Sequence, residues 1–410
     1  MQLHMQADGM SLRSLIVLFI ILIVSNSFLV VNDIKPCQAA VLPKYYVDDD
    51  YNSTTPGWNV DHFNNINDAI NASSAGDRII VYAGTYNEAL VVPHKLDIFG
   101  ENRDITIING KYNGDVITIN AQHVNISHFT IKNSGNNSSV IKINSGHTII
   151  TDNKITNGKQ GVLVVNCDYN IIYDNIITGN NGDGIKLNHS DHNSITYNSI
   201  TSNLNGVFLY NSSYNSIENN SAIKTNTENG VFLNETSNYN TVLYNNISSN
   251  TQNGVFLNDH CNQNTISHNE IHLNNDSGIR MENSSQNTLT ANTVNKNTNY
   301  GIMIVGSNNT IQQNTIRNNS KHGIFLFADD HNTVYNNLIQ GNTKTGIHMS
   351  NSTNDTIYTN EIANNEEYGI YLDHFTLNNL IYNNYFHDNN HNSVDKRLNR
   401  NRWNITKTKK

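Results

Sequence analysis

The sequence predicts an all-β fold, a single-stranded parallel β-helix of about 23 residues per coil with a short N-terminal capping helix. Three observations predict it. A glycine followed by Val or Ile recurs at Gly161, Gly184, Gly206, Gly230, Gly254, Gly278, Gly301, Gly323, Gly346 and Gly369, at intervals of 22 to 24 residues. Each interval holds two or three short β-type segments separated by Asn, Ser, Asp or Gly, without a leucine-rich signature or an apolar 3.6-residue period. Asparagine also falls in register from one interval to the next.

Composition agrees with a folded array. Of 410 residues, 37% are hydrophobic, 14% are charged and only 4 are proline. Disordered chains combine few aliphatics with high charge, so this chain folds. A repeat array grows along one axis and escapes the size limit of a globular core, so one long domain is expected. The net charge of -9, with basic residues thin outside the last fifteen positions, argues against a nucleic-acid partner.

Residues 1–39 carry Arg13, the run SLIVLFIILIVSNSFLVV and a small-residue exit near Ala39. They are expected to be a secretory signal, with an uncleaved membrane anchor as the alternative; either places the body outside the cytoplasm, secreted or at the cell surface. Residues 40–100 are expected to form the N-terminal cap and first strands. There Phe63, Ile66, Ala69 and Ile70 make one apolar helical face, and Gly76 stops the helix before a strand at Arg78–Tyr82. Residues 101–388 are the coils, roughly thirteen in all. Residues 389–410, where the periodicity fades and DKRLNRNRWNITKTKK is basic, read as a tail or weak cap. Cys167 and Cys261 stand four intervals apart, about 19 Å at ~4.8 Å per coil, too far to bridge; both are expected to be free thiols.

Two asparagine rows carry the register. One runs Asn170, Asn193, Asn215, Asn240, Asn264, Asn287, Asn309 and Asn332; the other runs from Asn153 through Asn175 and Asn198 to Asn360 and Asn383. Stacked amides can donate along such rows, and Asn tolerates left-handed turns, so the asparagine is read as structural. Sequons at Asn52, Asn71, Asn125, Asn211, Asn234, Asn283 and Asn351 offer glycosylation sites wherever they lie on exposed turns.

After each row glycine the first and third residues are aliphatic, so the second points outward. That outward row reads Leu163, Lys186, Phe208, Phe232, Phe256, Arg280, Met303, Phe325, His348 and Tyr371, with Tyr210, Asn234, Asn258, Glu282, Phe327 and Asp373 two positions on. Phe208, Tyr210, Phe232, Phe256, Arg280, Phe325 and Tyr371 are the candidate carbohydrate-binding residues, rings for sugar C–H surfaces and polar groups for hydroxyls. An aromatic stripe also stabilises adjacent strands by about 0.2–1 kcal/mol per pair, so a structural or assembly stripe is the competing reading. For catalysis, His348, Tyr371 and Asp373 have the right types for proton abstraction, while Arg280 lies three coils away. Asp152 and Asp174 are in register on adjacent coils and are weak metal candidates. The pairs Asp191-His192, Asp259-His260, Asp330-His331 and Asp373-His374 do not share a register and read as turn residues.

The cap stretch INDAINASSAGDRIIVYAGTYNEALVV, then LDIFGENRDITIING and the N-x-I…G-I/V coils, resembles the right-handed parallel β-helix superfamily of pectin-lyase-like proteins. It is most similar to the NosD-type, carbohydrate-binding and sugar-hydrolase-like repeat proteins of archaeal cell surfaces, over residues 41–404. The resemblance implies a right-handed helix, three sheets per coil and ligands along one outer face. It does not fix an activity, because such coils carry lyases, hydrolases, epimerases and proteins with no reaction. GDGIK at 182–186 slightly resembles a polygalacturonase strand, but the partner motifs are missing. Copper, suggested by the NosD name, lacks a cluster of soft ligands, and no cofactor is expected. The expected partner is a polysaccharide or other envelope component, bound without catalysis. A polysaccharide lyase, glycoside hydrolase or epimerase on the same face is the alternative, and lateral self-association in a surface layer the third reading.

Overall fold

The computed structural model describes residues 44–397 and 400–404. The expected signal segment and the last residues of the basic stretch lie outside the described residues. Three parallel sheets run through the described chain, sheet A with 17 strands and sheets B and C with 14 each. One coil more is present than the thirteen expected. A representative coil supplies Thr265–Ser267 to sheet A, Glu270–His272 to sheet B and Ile279–Glu282 to sheet C.

Side-chain alternation sets what enters the coil. In that coil Ile266, Ile271, Ile279 and Met281 are fully buried, and the same aliphatic positions repeat above and below to give one continuous core. In the repeating coils, from Asn125–Ser127 onward, each A and B strand is only three residues long because the chain must turn as soon as one side chain has pointed inward. The turns use a left-handed residue, such as His268 (φ 54) or Leu273 (φ 58), followed by a ladder asparagine. This corrects one expectation: the ladder asparagines are not themselves the left-handed residues. Their task is hydrogen bonding. Asn269 donates from its backbone N–H and from Nδ2 to Asn292 Oδ1, both at 3.0 Å, and from Nδ2 to the Val242 carbonyl at 2.8 Å. One side chain thus serves corner backbone groups that no sheet neighbour reaches.

A third long ladder stands beside the two expected. The unforeseen one runs from Asn180 through Asn203, Asn226, Asn250, Asn274, Asn297, Asn319, Asn342 and Asn365 to Asn389. The second expected row ends at Asn384, whose Oδ1 accepts from Asn360, and not at Asn383, which has φ 54. The row glycines are explained by the third ladder. A Cβ at Gly254 would lie 2.5 Å from Ile271 Cγ2, 2.6 Å from the Gly278 carbonyl and 2.9 Å from Asn274 Nδ2.

The cap helix spans Ile66–Ala72 with Ile66, Ala69 and Ile70 buried. Asn65 Oδ1 caps it by accepting from Asp68 N, and the Glu88 carboxylate accepts from Ile66 N and Asn67 N at 2.7 and 3.0 Å. The C-terminal stretch is more ordered than its periodicity suggested. His391–Asp395 pairs with Tyr368–Leu372, and Arg402–Asn404 pairs with Leu380–Tyr382. Asn401 continues the first ladder and Trp403 packs on the core, so the coil closes without its glycine. Cys167 and Cys261 are free and buried. No helix among the described residues is long and apolar enough to cross a membrane.

Candidate functional site

The outward row of sheet C is continuous. Leu163, Lys186, Phe208, Phe232, Phe256, Arg280, Met303, Phe325, His348 and Tyr371 are paired residue to residue on successive strands, and all are half-buried. Within it the phenylalanines stack on one another. Phe208–Phe232 and Phe232–Phe256 have ring centroids 4.9 and 5.1 Å apart and planes within 8° and 5° of parallel. Parallel rings this close overlap face to face, so their faces are covered and their edges look outward. Lys186 Nζ lies 4.7 Å from the Phe208 centroid, and the Arg280 guanidinium carbon 5.6 Å from that of Phe256, closing the stack at both ends. Arg280 is further held by Glu282 (Nε···Oε1 2.9 Å) and Asp276 (3.2 Å). The rings do not present open faces to a sugar, as the sequence reading had supposed.

The C-terminal third of this row opens into a cleft of about 320 Å³ lined by His322, Lys344, Thr345, His348, Glu367, Tyr368 and Tyr371. His348 Nδ1 lies 3.1 Å from His322 Nε2, and the Thr345 backbone N–H donates to His322 Nδ1 at 3.3 Å. Burial, then the neighbouring His348 and the Lys344 and Lys321 ammoniums, push the His322 pKa down to about 3. Burial also lowers that of His348, against the opposing charge of Asp373. His348 and Tyr371 meet edge to face with centroids 5.0 Å apart. Asp373 is occupied: its carboxylate accepts from Ser350 Oγ (2.6 Å), Thr376 Oγ1 (2.9 Å) and Phe375 N (3.0 Å), which hold its pKa low despite desolvation. The structure therefore brings His348 and Tyr371 together, adds His322, and leaves Arg280 three coils off.

Sequence reasoning missed His322 and Tyr368, although a signal existed. The residue before each row glycine forms its own column. In the middle coils it is a buried amide ladder, with Asn253 donating to Asn229, Asn229 to Asn205 and Asn205 to Asp183. From Tyr300 onward the column turns to Tyr300, His322, Thr345 and Tyr368, beside sheet C. Asp183, in the strand that slightly resembled a polygalacturonase, is thus the buried acceptor end of a ladder. A second missed column precedes the first asparagine row. His123, His147, Tyr169, His192, Tyr214 and Tyr239 stack with centroids 4.8 to 5.3 Å apart, all at positive φ.

The remaining candidates are turn residues. Asp152 (φ 51) binds Arg103 Nη1 at 2.6 Å and faces His128 Nε2 at 3.3 Å, so its charge is already balanced; Asp174 (φ 54) follows at the same turn. Asp259 with His260 and Asp330 with His331 pair within their own turns, at 2.7 and 2.9 Å.

A family model described as a right handed beta helix region matches residues 115–271, and one described as periplasmic copper-binding protein (NosD) matches residues 252–410. The chain is a right-handed parallel β-helix. Among solved structures, the β-helix is similar to the A-module of the mannuronan C-5 epimerase AlgE4 of Azotobacter vinelandii, with 12% identity, 82% of this chain and 93% of that one covered, and a TM-score of 0.50. It is also similar to the periplasmic alginate epimerase AlgG (13% identity, 76% and 77% covered, TM-score 0.47). A third is the catalytic unit of the GH87 alpha-1,3-glucanase of Streptomyces thermodiastaticus (14% identity, 83% and 64% covered, TM-score 0.46). At these identities the likeness is one of fold. No curated protein gives a significant sequence match.

The residues of the β-helix do not fit copper. Burial raises both thiols, that of Cys261 to about 12, and each lies buried in its own coil. Met281 and Met349 are fully buried in the core. The imidazole pair in the cleft, His322 and His348, has its His322 Nδ1 lone pair engaged by Thr345 N–H, which places the proton on the very Nε2 that would have to bind metal.

Proposed function

We propose that this β-helix is an extracytoplasmic protein that binds polysaccharide along the outer face of sheet C, without chemistry on the bulk of that face. The observation that carries the reading is the unbroken outward row from Lys186 to Tyr371, where ring edges, two cationic caps and a polar cleft lie in line along the axis. A linear ligand spanning several coils matches such a row. The periplasmic description of the NosD family model supports an extracytoplasmic place, and the fold is shared with a polysaccharide epimerase module. Because the phenylalanine faces are covered, contact runs through ring edges and through the amides and hydroxyl beside them, Asn234, Asn258 and Tyr210.

One observation favours a second reading, a polysaccharide-active enzyme: the cleft gathers His322, His348 and Tyr371 at one end of the same face. The test is to incubate the protein with neutral and acidic polysaccharides and follow polymer length and protein elution by size-exclusion chromatography. Co-elution with intact polymer is expected. Shortened polymer would establish the enzyme, and unchanged elution with every polymer would leave lateral assembly as the role of the face.

A further inference from the structure

We infer that His322 and His348 form a fixed, uncharged donor relay, and that their cleft is the subsite holding one hydroxyl-bearing, uncharged sugar residue of the bound chain. The second half rests on the polysaccharide reading above. The first half rests on hydrogen bonds alone. A backbone N–H has only a proton to offer, so the contact from Thr345 N fixes a lone pair on His322 Nδ1. The proton of the neutral ring therefore sits on His322 Nε2, which faces His348 Nδ1 at 3.1 Å and donates to it. His348 must then carry its own proton on Nε2, the remaining nitrogen of a ring that lines the cleft.

Charging either ring breaks the relay. An imidazolium at His322 would set an N–H against the Thr345 N–H, and one at His348 would set N–H against N–H across 3.1 Å. Burial acts in the same sense, depressing both pKa values, as do the Lys344 and Lys321 ammoniums around His322; only Asp373 opposes, at His348. His348 thus meets a ligand as a neutral donor at neutral pH, and not as the base that its residue type suggested. Its free donor wants an oxygen. The other lining groups supply an ammonium (Lys344), a carboxylate (Glu367) and two rings (Tyr368, Tyr371), donors and acceptors of balanced charge. That set suits hydroxyls, which both give and accept, better than a carboxylate or sulfate. The volume lies within the range of small-molecule sites, about 300–1,000 Å³. His322 is a positioning residue, since it acts through His348.

The inference is tested on the full-length protein by imidazole nitrogen NMR, with His322→Gln and His348→Gln used for assignment. Both rings are expected as neutral Nε2–H tautomers without titration between about pH 7 and 8, above the free-imidazole pKa of about 6.5 from which both are lowered. A His348 that titrates in that window, or carries its proton on Nδ1, overturns the relay. For the subsite, binding of laminarihexaose, cellohexaose, mannohexaose and hexagalacturonate is measured across the same pH range. A neutral hexaose is expected to bind with a flat pH profile, to weaken about tenfold in His348→Ala and His322→Ala, and to recover in His322→Gln, which keeps a donor toward His348. Preference for the galacturonate, or binding that strengthens as the pH falls from about 8 to 7, overturns the subsite. Polysaccharide binding that His348→Ala leaves unchanged overturns the subsite alone, whereas no binding of any saccharide overturns the reading of the whole face.

Discussion

Asp355 stands where the first ladder calls for asparagine. Its Oδ1 accepts from Asn332 N and its own N–H donates to Asn379 Oδ1, both at 2.7 Å, as an asparagine would do. Oδ2, however, is buried without a partner, at the position from which Asn332 Nδ2 donates to the Gly306 carbonyl and Asn379 Nδ2 to the Ser352 carbonyl. An oxygen facing acceptors needs a proton. One coil below, both carboxylate oxygens of buried Asp329 lack a hydrogen bond, and the Ser352 hydroxyl donates to the Leu326 carbonyl instead. Burial raises Asp355 to about 7 and Asp329 to about 8, the latter also through the charge of Asp355, with Asp330 and His331 acting as the nearby exposed charges. The sign follows from linkage. The folded pair binds protons more tightly than the unfolded chain, so its stabilisation is complete below the unfolded carboxylate pKa of about 4 and is lost as pH rises through about 7 to 8. The melting temperature is expected to fall across that interval in thermal scans. Asp355→Asn should restore the missing donor and raise stability by about 1–3 kcal/mol at pH 8 with little gain at pH 4. A loss of stability at pH 8 would contradict the neutral-acid account. The converse change, Asn292→Val, leaves Asn269 without the Oδ1 that accepts its two donors and the Ile266 carbonyl without its amide, and should cost about 1–3 kcal/mol in urea unfolding.

At the scale of the coil, glycine, asparagine and isoleucine meet at one corner. Gly254→Ala pushes a methyl into Ile271, Asn274 and the next glycine carbonyl, and relief would have to pass along the stack. A loss of about 1–3 kcal/mol is expected from the overpacking, measured by urea unfolding; a neutral change would show that the corner can open. This corner also explains what the sequence disclosed. The period of the row glycines, the alternation around Phe232 and the rows headed by Asn170 and Asn153 were legible because each demand repeats in every coil. The ladder through Asn250 and Asn274 was just as periodic, each member standing two residues after its B strand, but it lies beyond the N-[ST]-I-x-x-N-x-I pattern that set the first two rows, which ends at that strand. The last coil was missed because Trp403 replaces the periodic signal by a single large contact with the core. His322 carries no strand alternation signal for another reason: it belongs to the turn before the strand Ile324–Phe327 and not to the strand itself. Its partnership with His348 is a contact between adjacent coils, visible only once register is fixed to the residue.

For the molecule as a whole, stability is close to a sum over neighbouring coils, and the ends are closed by the helix Ile66–Ala72 and by the Trp403 strand. Stacked aromatics occur on more than one side of such an array. Tyr335, Tyr358 and Tyr382 stack on sheet A with centroids 4.9 and 5.1 Å apart, in the same manner as the phenylalanines of sheet C. A ring column is therefore not evidence of binding by itself; what sets sheet C apart is the continuation of its column into Lys186, Arg280 and the His322–His348 cleft. That difference gives the most direct test of the account. Electrophoretic retardation is measured in gels containing a polysaccharide that co-elutes with the protein, comparing the parent with Phe232→Ala/Arg280→Ala on sheet C and Tyr335→Ala/Tyr358→Ala on sheet A, with melting temperatures taken in parallel. The account predicts that the sheet C pair abolishes most of the retardation while the sheet A pair, at comparable stability, leaves it intact. Equal retardation of both variants would contradict a ligand on sheet C.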